Sequence, residues 1–502
     1  MFSIFQPTHA ARRSGTMPAR HAVWISLAVI VLWALWAMAF NTAQFGDNVE
    51  QFNWAQSLEL GYRKHPPLPS WVLGAAIRLF GPSVYWAYVL ATLCLLGTAA
   101  FTWLIGRELL GEQVAAAAVV LWGLNLSFSQ RVQLYNHNTV LVLCIAATVW
   151  FAMRATRSPR GHALWWAAAG LGAGAALLSK YQALVPLAGL LLALAWSGRL
   201  KPPAHHLGLA LAIVLALLVC APHAFWVAGH DFSTVRYASE AIETSGLAQR
   251  LGFIVSFIAN QVRLAFPALL AIALCAALAH FAGPVPRAGT TRDTAVADFG
   301  LWMFGLVWGG LLVLMLMALL GGVSLRNHWG VQALQFFSLW LAWTWSRRAR
   351  IDLRRLVWVA LAVHAASLGW YATEHRDPTG VLASRRIDTM YPARRLARAA
   401  VAHWSASTTC PLRYVAGTVF DAGLVSLYSG GQLQVFDSQQ ATPWVRPEEL
   451  QHRGAIYVLA EGDGVPAGVT NLVAFDLVTG DHHGRPAKTI RLGVLLPQQP
   501  CR

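Results

Sequence analysis

The sequence predicts a mainly α-helical, polytopic membrane protein of about eleven transmembrane helices, followed by a small C-terminal α/β domain. Three observations carry that expectation. The 502-residue chain is 56% hydrophobic and only 12% charged, where soluble domains carry about twice that charge fraction. Its apolar residues come in long blocks rather than amphipathic stripes, and blocks of about 18 or more such residues are long enough to cross a bilayer. Polar residues collect in short loops and in residues 373–502.

Residues 1–20 are polar and basic (Arg12, Arg13, Arg20) and read as a cytoplasmic N-terminus. A long apolar helix follows over 21–40, and no small-residue cleavage site is evident behind it, so it reads as an uncleaved first span. Further spans are expected near 83–106, 113–129, 138–155, 162–178, 181–197, 206–228, 255–282, 299–322, 328–346 and 354–372. With the N-terminus in the cytoplasm, the basic loops Arg154–His162, Gly198–His206, Gly283–Arg292 and Arg347–Arg355 are cytoplasmic. The opposite loops, 41–82, 130–137, 229–254 and 323–327, are long or sparsely basic, so the positive-inside rule selects this orientation. An odd number of spans then places 373–502 in the periplasm of a bacterial inner membrane. The net charge of +16 reads as topology signal and contact with anionic lipids; nucleic acid would need a clustered basic stripe on a soluble face.

Of six cysteines, Cys94, Cys144, Cys220 and Cys275 lie in apolar blocks and read as fillers. Cys410 and Cys501 lie in the polar tail, in an oxidising compartment; they are either a disulfide or two thiols, which spacing does not decide. Within the tail, Pro392–Trp404 reads as an amphipathic helix. Arg413–Val419, Leu433–Asp437, Ala455–Ala460 and Asn471–Leu477 read as strands, with a helix over Asp421–Tyr428. The 417–423 segment lacks the Gly-x-Gly-x-x-Gly spacing, so no nucleotide is assigned.

Chemistry concentrates in the first outer loop. Asp47 follows directly on the first span, and Glu50 shares its face on a helix starting there. Asp ahead of a helix is also a common N-cap. The rigid corner Lys64-His65-Pro66-Pro67 places cations at the same membrane surface, a setting for an anionic phosphate beside a general base. Lys180 interrupts the mostly apolar run Leu164–Trp196, where a charge is costly unless it is used; a snorkelling lysine is the plainer alternative.

Asp47 with its helix, then Gly61-Tyr62-x-Lys64-His65-Pro66-Pro67-Leu68-x-x-Trp71, resembles the GT-C superfamily of glycosyltransferases. It is most similar to the bacterial branch of families 39 and 83, related to protein O-mannosyltransferases and lipid A aminoarabinose transferase. Tyr135–Asn138, Leu177–Tyr181, Pro222–Trp226 and Arg326–Trp329 match in order, so the resemblance covers nearly the whole chain.

The resemblance implies a sugar delivered on undecaprenyl or a similar polyprenyl phosphate and transferred with inversion to an envelope acceptor, foremost lipid A or lipopolysaccharide. It implies Asp47, with Glu50, as the catalytic acids. Lys64, His65, Lys180, Tyr181, Arg326 and His328 would face the donor phosphate, and Tyr62, His137, Asn138 and Arg236 would line the site. The first loop carries the site, within a membrane domain over 21–372. The chain departs from the pattern at Asn48 and Asn138, where relatives carry acids, and at His65, where some carry Lys. No metal ligand is assigned, a divalent metal stays open, and no other cofactor is implied. Protein O-mannosyl transfer and lipid-linked sugar transport without chemistry are the alternatives.

Overall fold

The computed structural model describes residues 17–158, 162–240, 246–281, 294–376, 388–431, 433–476 and 489–499. Arg12, Arg13, Arg160, Glu243, the 283–292 loop and Cys501 therefore lie outside the described residues.

Helix α1 (Ala19–Phe40) is 22 residues long, about 33 Å at 1.5 Å per residue, enough for a hydrocarbon core. It leads into α2 (Gly46–Trp54) and α3 (Leu68–Phe80). The sequence reading left 68–80 as loop; Pro67 and Pro69 start a helix there, where a missing N–H costs nothing. The bundle continues with α4 (Trp86–Leu110), α5 (Glu112–Leu124), α6 (Leu126–Ser129), α7 (His137–Arg157), α8 (His162–Ser179), α9 (Leu184–Trp196) and α10 (Pro203–Gly229). After α11 (Ser233–Ser239) come α12 (Leu247–Phe281), α13 (Thr294–Met303), a π-helical stretch (Phe304–Gly309), α14 (Gly310–Gly321), α15 (Gly330–Ala333), α16 (Phe337–Arg348) and α17 (Leu353–Arg376).

Seven of these helices are long and apolar enough to cross a membrane: Ala19–Phe40, Trp86–Leu110, His137–Arg157, Pro203–Gly229, Leu247–His280, Phe299–Gly321 and Leu353–Thr373. The other four expected spans fall on α5, α8, α9 and α16, which are shorter or less apolar. Specific breaks shorten them. Asn125 ends α5, Lys180 in extended conformation separates α8 from α9, and Gly330–Phe336 turns irregularly before α16. Helix α5 is buried from Ala115 to Leu124 and packs against α1, α4, α12, α16 and α17, its alanines permitting close approach. At Gly305 an added Cβ would lie 2.4 Å from Ala193 Cα, so the π-helical stretch can sit on α9 only with glycine there.

The tail forms α18 (Ala393–Ser407), α19 (Val419–Tyr428), α20 (Pro447–Arg453) and strands β1 (Tyr414–Gly417), β2 (Gln434–Phe436), β3 (Ala455–Ala460), β4 (Val469–Asp476) and β5 (Thr489–Leu495). The sheet order is β2-β1-β3-β5-β4, with β1 parallel to β2 and β3, and β5 antiparallel to β3 and β4. Val415 stands opposite Val435 and Ile456, and Ile456 opposite Val494, so one buried apolar row crosses the sheet. Cys410 is disulfide-bonded, while Cys501 lies beyond the described residues.

This tail is not a free appendage. Its core includes Ala43 and Val49 of the first loop. Helix α19 lies on α2, where an added Cβ at Gly423 would come within 2.3 Å of Val49 Cγ1. Asn53 donates to the Val419 carbonyl (2.9 Å), Gln56 donates to that of Leu433 (2.9 Å), and the Val435 N–H donates back to Gln56 (3.0 Å).

Candidate active site

Helix α2 supplies Asp47 and Glu50 from adjoining turns, and the structure gives them different company. Asp47 is not the N-cap; Phe45 is, and Asp47 sits in the first turn, where the helix dipole favours a carboxylate. Its side chain is exposed to the cleft, and its Oδ2 accepts from Asn136 Nδ2 at 2.8 Å. Asn136 itself caps α7, its Oδ1 accepting from the N–H groups of Asn138 and Thr139, so the start of α7 positions Asp47. Beside it the fully buried Asn48 donates to the Gln133 carbonyl (2.8 Å) and accepts from the Tyr135 N–H (2.8 Å). A carboxylate at 48 would lose the first of these bonds.

Glu50 instead makes an ion pair with Lys64, Nζ to Oε1 2.6 Å. Burial alone would depress the Lys64 ammonium, but Glu50 overrides it and the net shift is upward. The Lys64 Nζ also lies 5.9 Å from the Tyr237 ring centroid on α11. Asp437, just after β2, approaches from the C-terminal domain; burial lifts its carboxyl above the usual range, opposed by Lys64 and Arg63.

An aromatic wall stands behind the loop. Trp54 stacks on Tyr62 (centroids 5.0 Å) and meets His137 edge-on (5.7 Å). His65 lies against His137 (3.9 Å) and meets Tyr237 (5.3 Å). Loss of bulk water, then the nearby His137 and Lys180, hold the His65 imidazole well below its ordinary value, so it sits neutral. Gln51 joins the wall to the loop, with its amide 3.3 Å from His137 Nε2 and its carbonyl accepting from Ser70 (2.9 Å).

Cations line the opposite side. Lys180, at the break between α8 and α9, donates to Asn138 Oδ1 at 3.0 Å, and the Gln332 amide lies 2.5 Å from the same oxygen. Burial pushes the Lys180 ammonium down to about 7; Asp47 opposes that shift and Arg131 adds to it. Arg131, in the short helical turn before α7, is buried, and its Nε donates to the Ser127 carbonyl at 2.8 Å. Burial brings the guanidinium down to about 10, with Asp47 acting in the opposite direction. His328 is exposed at the mouth, within electrostatic reach of Lys180, Arg131 and Arg326.

Of the residues expected from sequence, Asp47, Glu50, Lys64, His65, His137, Asn138, Lys180 and His328 therefore converge on one cleft, with Arg326 at its rim. Tyr62 is buried below, its hydroxyl donating to the Ser57 carbonyl (2.6 Å). The Tyr181 hydroxyl is engaged with His223 Nε2 and Thr234 Oγ1, both at 2.7 Å, which ties α10 to α11. Arg236 is exposed on α11. The sequence reading missed Arg131, Gln332, Asp437 and Trp54. Arg131 was counted only as a loop residue in the topology argument, although its place two to seven residues ahead of Gln133–Asn138 was the available signal. Among the described residues no three His, Cys, Asp or Glu side chains are grouped to hold a metal ion.

A groove of about 170 Å³ opens beside this cleft, lined by Ile258, Val262, Ala265, Leu269, Trp308, Leu311, Leu334 and Phe337. It shares Gly330 and Val331 with the segment that carries His328 and Gln332.

The fold is an apolar helical bundle with a charged cleft at one end, closed by a small α/β domain, and it recurs in a known structure. The crystal structure of ArnT from Cupriavidus metallidurans bound to undecaprenyl phosphate matches with a TM-score of 0.59 over 96% of this chain and 100% of that one, at 13% identity, a likeness of fold. The family model described as dolichyl-phosphate-mannose-protein mannosyltransferase matches residues 64–226. The lipid A galacturonosyltransferase RgtD of Rhizobium johnstonii is 30% identical over 242 residues, 46% of this chain and 48% of that protein. The lipopolysaccharide core galacturonosyltransferase RgtB of the same organism is 29% identical over 209 residues, 41% and 42% of the two chains. The matches span somewhat less than half the length of these curated relatives. The chain thus shares the fold of that structure and, over parts of its length, sequence similarity with these transferases.

Proposed function

We propose that the protein is a glycosyltransferase of the bacterial inner membrane that moves a sugar from a polyprenyl phosphate carrier to lipid A or another part of lipopolysaccharide. The cleft faces the periplasm in this reading, with the N-terminus cytoplasmic and the sheet domain periplasmic. The observation that carries the proposal is an exposed Asp47 held by a neutral amide opposite Lys180 and Arg131, which have no carboxylate bonded to them. A base facing cations across an accessible cleft suits transfer to a hydroxyl.

In that step the acceptor oxygen attacks the anomeric carbon and its proton passes to Asp47. The bond from that carbon to the phosphate oxygen breaks, and the carrier leaves as a phosphate monoester. Lys180, Arg131, Arg326 and His328 stabilise the charge growing on the phosphate. The apolar groove beside Gly330 accommodates the isoprenoid. The names of the relatives support a lipopolysaccharide acceptor and favour a uronic acid as the sugar. The family model's description favours a second reading, transfer of mannose to secreted protein.

Mass spectrometry of lipid A and core oligosaccharide from wild-type, deletion and Asp47→Asn cells tests the proposal. A sugar-sized addition absent from the deletion and not restored by Asp47→Asn supports it. Identical lipopolysaccharide in all three, with the protein expressed, refutes the acceptor and turns the search to secreted glycoproteins.

A further inference from the structure

Asp47 is placed by the backbone beside it. Its Oδ2 accepts from Asn136, which belongs to the segment between Arg131 and the start of α7. That segment is irregular: a short helical turn ends at Gln133, and Leu134 and Asn136 are extended. Without a helical ladder of its own, it takes its shape from side-chain bonds. Asn48 supplies two of them, to the Gln133 carbonyl (2.8 Å) and from the Tyr135 N–H (2.8 Å). The Tyr135 hydroxyl adds a third, donated to the Pro69 carbonyl (2.8 Å).

The Gln133 side chain ties this segment to a cluster of polar groups from α1, α4 and α17. Its Oε1 accepts from Asn41 Nδ2 (3.2 Å), at the end of α1, and lies 2.6 Å from the Tyr371 hydroxyl on α17. Asn41 Nδ2 also donates to the Tyr88 hydroxyl on α4 (3.0 Å), and the Tyr371 hydroxyl is shared with Asn41 Oδ1. Gln133, Tyr88 and Tyr371 are all buried. Polar groups so far from water are costly unless bonded, and fully bonded they specify one arrangement. The cluster also reaches the other end of the Asp47 helix. His375 stacks on Tyr371 (centroids 4.1 Å), and its Nε2 lies 3.1 Å from Thr389 Oγ1. The Thr389 carbonyl accepts from the N–H groups of Thr42 (2.8 Å) and Ala43 (3.1 Å), just ahead of α2.

We propose that Gln133 and Tyr371 are positioning residues for the transfer step: they fix the segment from which Asn136 holds the Asp47 carboxylate. Arg131 has an anchor of its own in the Ser127 carbonyl, so the effect falls on Asp47. The proposal rests on the transferase reading above. A packing role would act whether or not Asp47 is present. A positioning role slows the chemical step, since a base misplaced by roughly 1 Å can cost about 10²-fold while the donor still binds.

The test is steady-state kinetics on the full-length protein in lipid nanodiscs, with lipid A as acceptor and a polyprenyl-phosphate-hexuronate as donor. Gln133→Met keeps the side-chain length and removes the acceptor oxygen; Tyr371→Phe removes only the hydroxyl. Each is assayed alone and combined with Asp47→Asn. Turnover at saturation should fall about tenfold in Gln133→Met and about fivefold in Tyr371→Phe, with the donor KM within about threefold of wild type. In the Asp47→Asn background the same substitutions should change the residual turnover by less than about twofold, because the group they position is gone. A raised KM at unchanged turnover overturns the assignment. So does an equal fold-loss in both backgrounds, which would make the cluster part of the fold alone, and so does wild-type turnover in Asp47→Asn, which would leave nothing to position. Tyr371→Phe carries the test if Gln133→Met fails to fold. If wild type transfers neither this sugar nor a hexose from the same carrier, the transferase reading fails first and the inference falls with it.

Discussion

Two carboxylates one turn apart on the same short helix live in opposite surroundings. Glu50 is closed off by a direct ion pair with Lys64, whose ammonium lies over the Tyr237 ring, and is near Asp437. Asp47 is open to the cleft, held by the Asn136 amide, and faces cations it does not touch. The contrast separates two uses of charge: a matched pair fixes geometry, and an unmatched acid opposite unmatched bases is available for chemistry. On this account Glu50–Lys64 braces the loop that Asp47 works from.

Breaking the open side should cost the most. Asp47→Asn keeps the shape and removes the base, and transfer should drop by about 10²–10⁴-fold, read as modified lipid A per unit protein, while the melting temperature barely moves. Breaking the closed side should show in stability. Lys64→Ala leaves Glu50 without its partner, and since the pair is partly exposed the cost falls between surface and buried cases, about 1–3 kcal/mol in thermal unfolding. The double variant Glu50→Gln/Lys64→Gln should recover much of that loss.

Acidity sharpens the contrast next. The free-enzyme Lys180 titrates near 7, far below a free lysine, because burial disfavours its charge. An anionic donor binds the charged form, so affinity is full below pH 7 and weakens as pH rises above it, by up to about tenfold per pH unit while the donor-bound lysine stays protonated. A flat donor affinity from pH 6 to 9 would contradict this. The smallest effect is expected at the brace between domains. Asn53→Ala removes the bond to Val419 that helps hold α2 on the sheet domain, for about 0.5–1.5 kcal/mol of stability.

The apolar blocks made the helical bundle legible in the sequence, because a hydrocarbon-facing helix has few ways to be written. The apolar runs within Arg413–Val419 and Ala455–Ala460 likewise read as strands, and strands form there. The span count was less legible. Hydropathy ran 113–129 together as one span, whereas Asn125 ends α5 and a separate short helix follows; the break at Lys180 was already visible as the gap between 162–178 and 181–197. Strand β5 was missed because Thr489–Leu495 carries Arg491 and Gly493 on an otherwise apolar segment.

Within the cleft, Asp47 and Lys64 stood out by their place in the first outer loop, and Lys180 because a charge inside an apolar run is costly unless used. Arg131 did not, since a loop arginine looks ordinary until the fold buries it beside Asp47. The pairing of Lys64 with Glu50 was equally invisible, because the two stand fourteen positions apart and only the folded loop brings them to 2.6 Å.

The most direct test of the account compares the two carboxylates in one assay. Purified full-length protein in lipid vesicles, supplied with lipid A and a saturating polyprenyl-phosphate-linked sugar, would be assayed as wild type, Asp47→Asn and Glu50→Gln. The account predicts that Asp47→Asn loses at least about 10²-fold in turnover while Glu50→Gln keeps turnover within about tenfold of wild type. Equal losses, or a greater loss at Glu50, would contradict the division of labour between the open and the closed carboxylate.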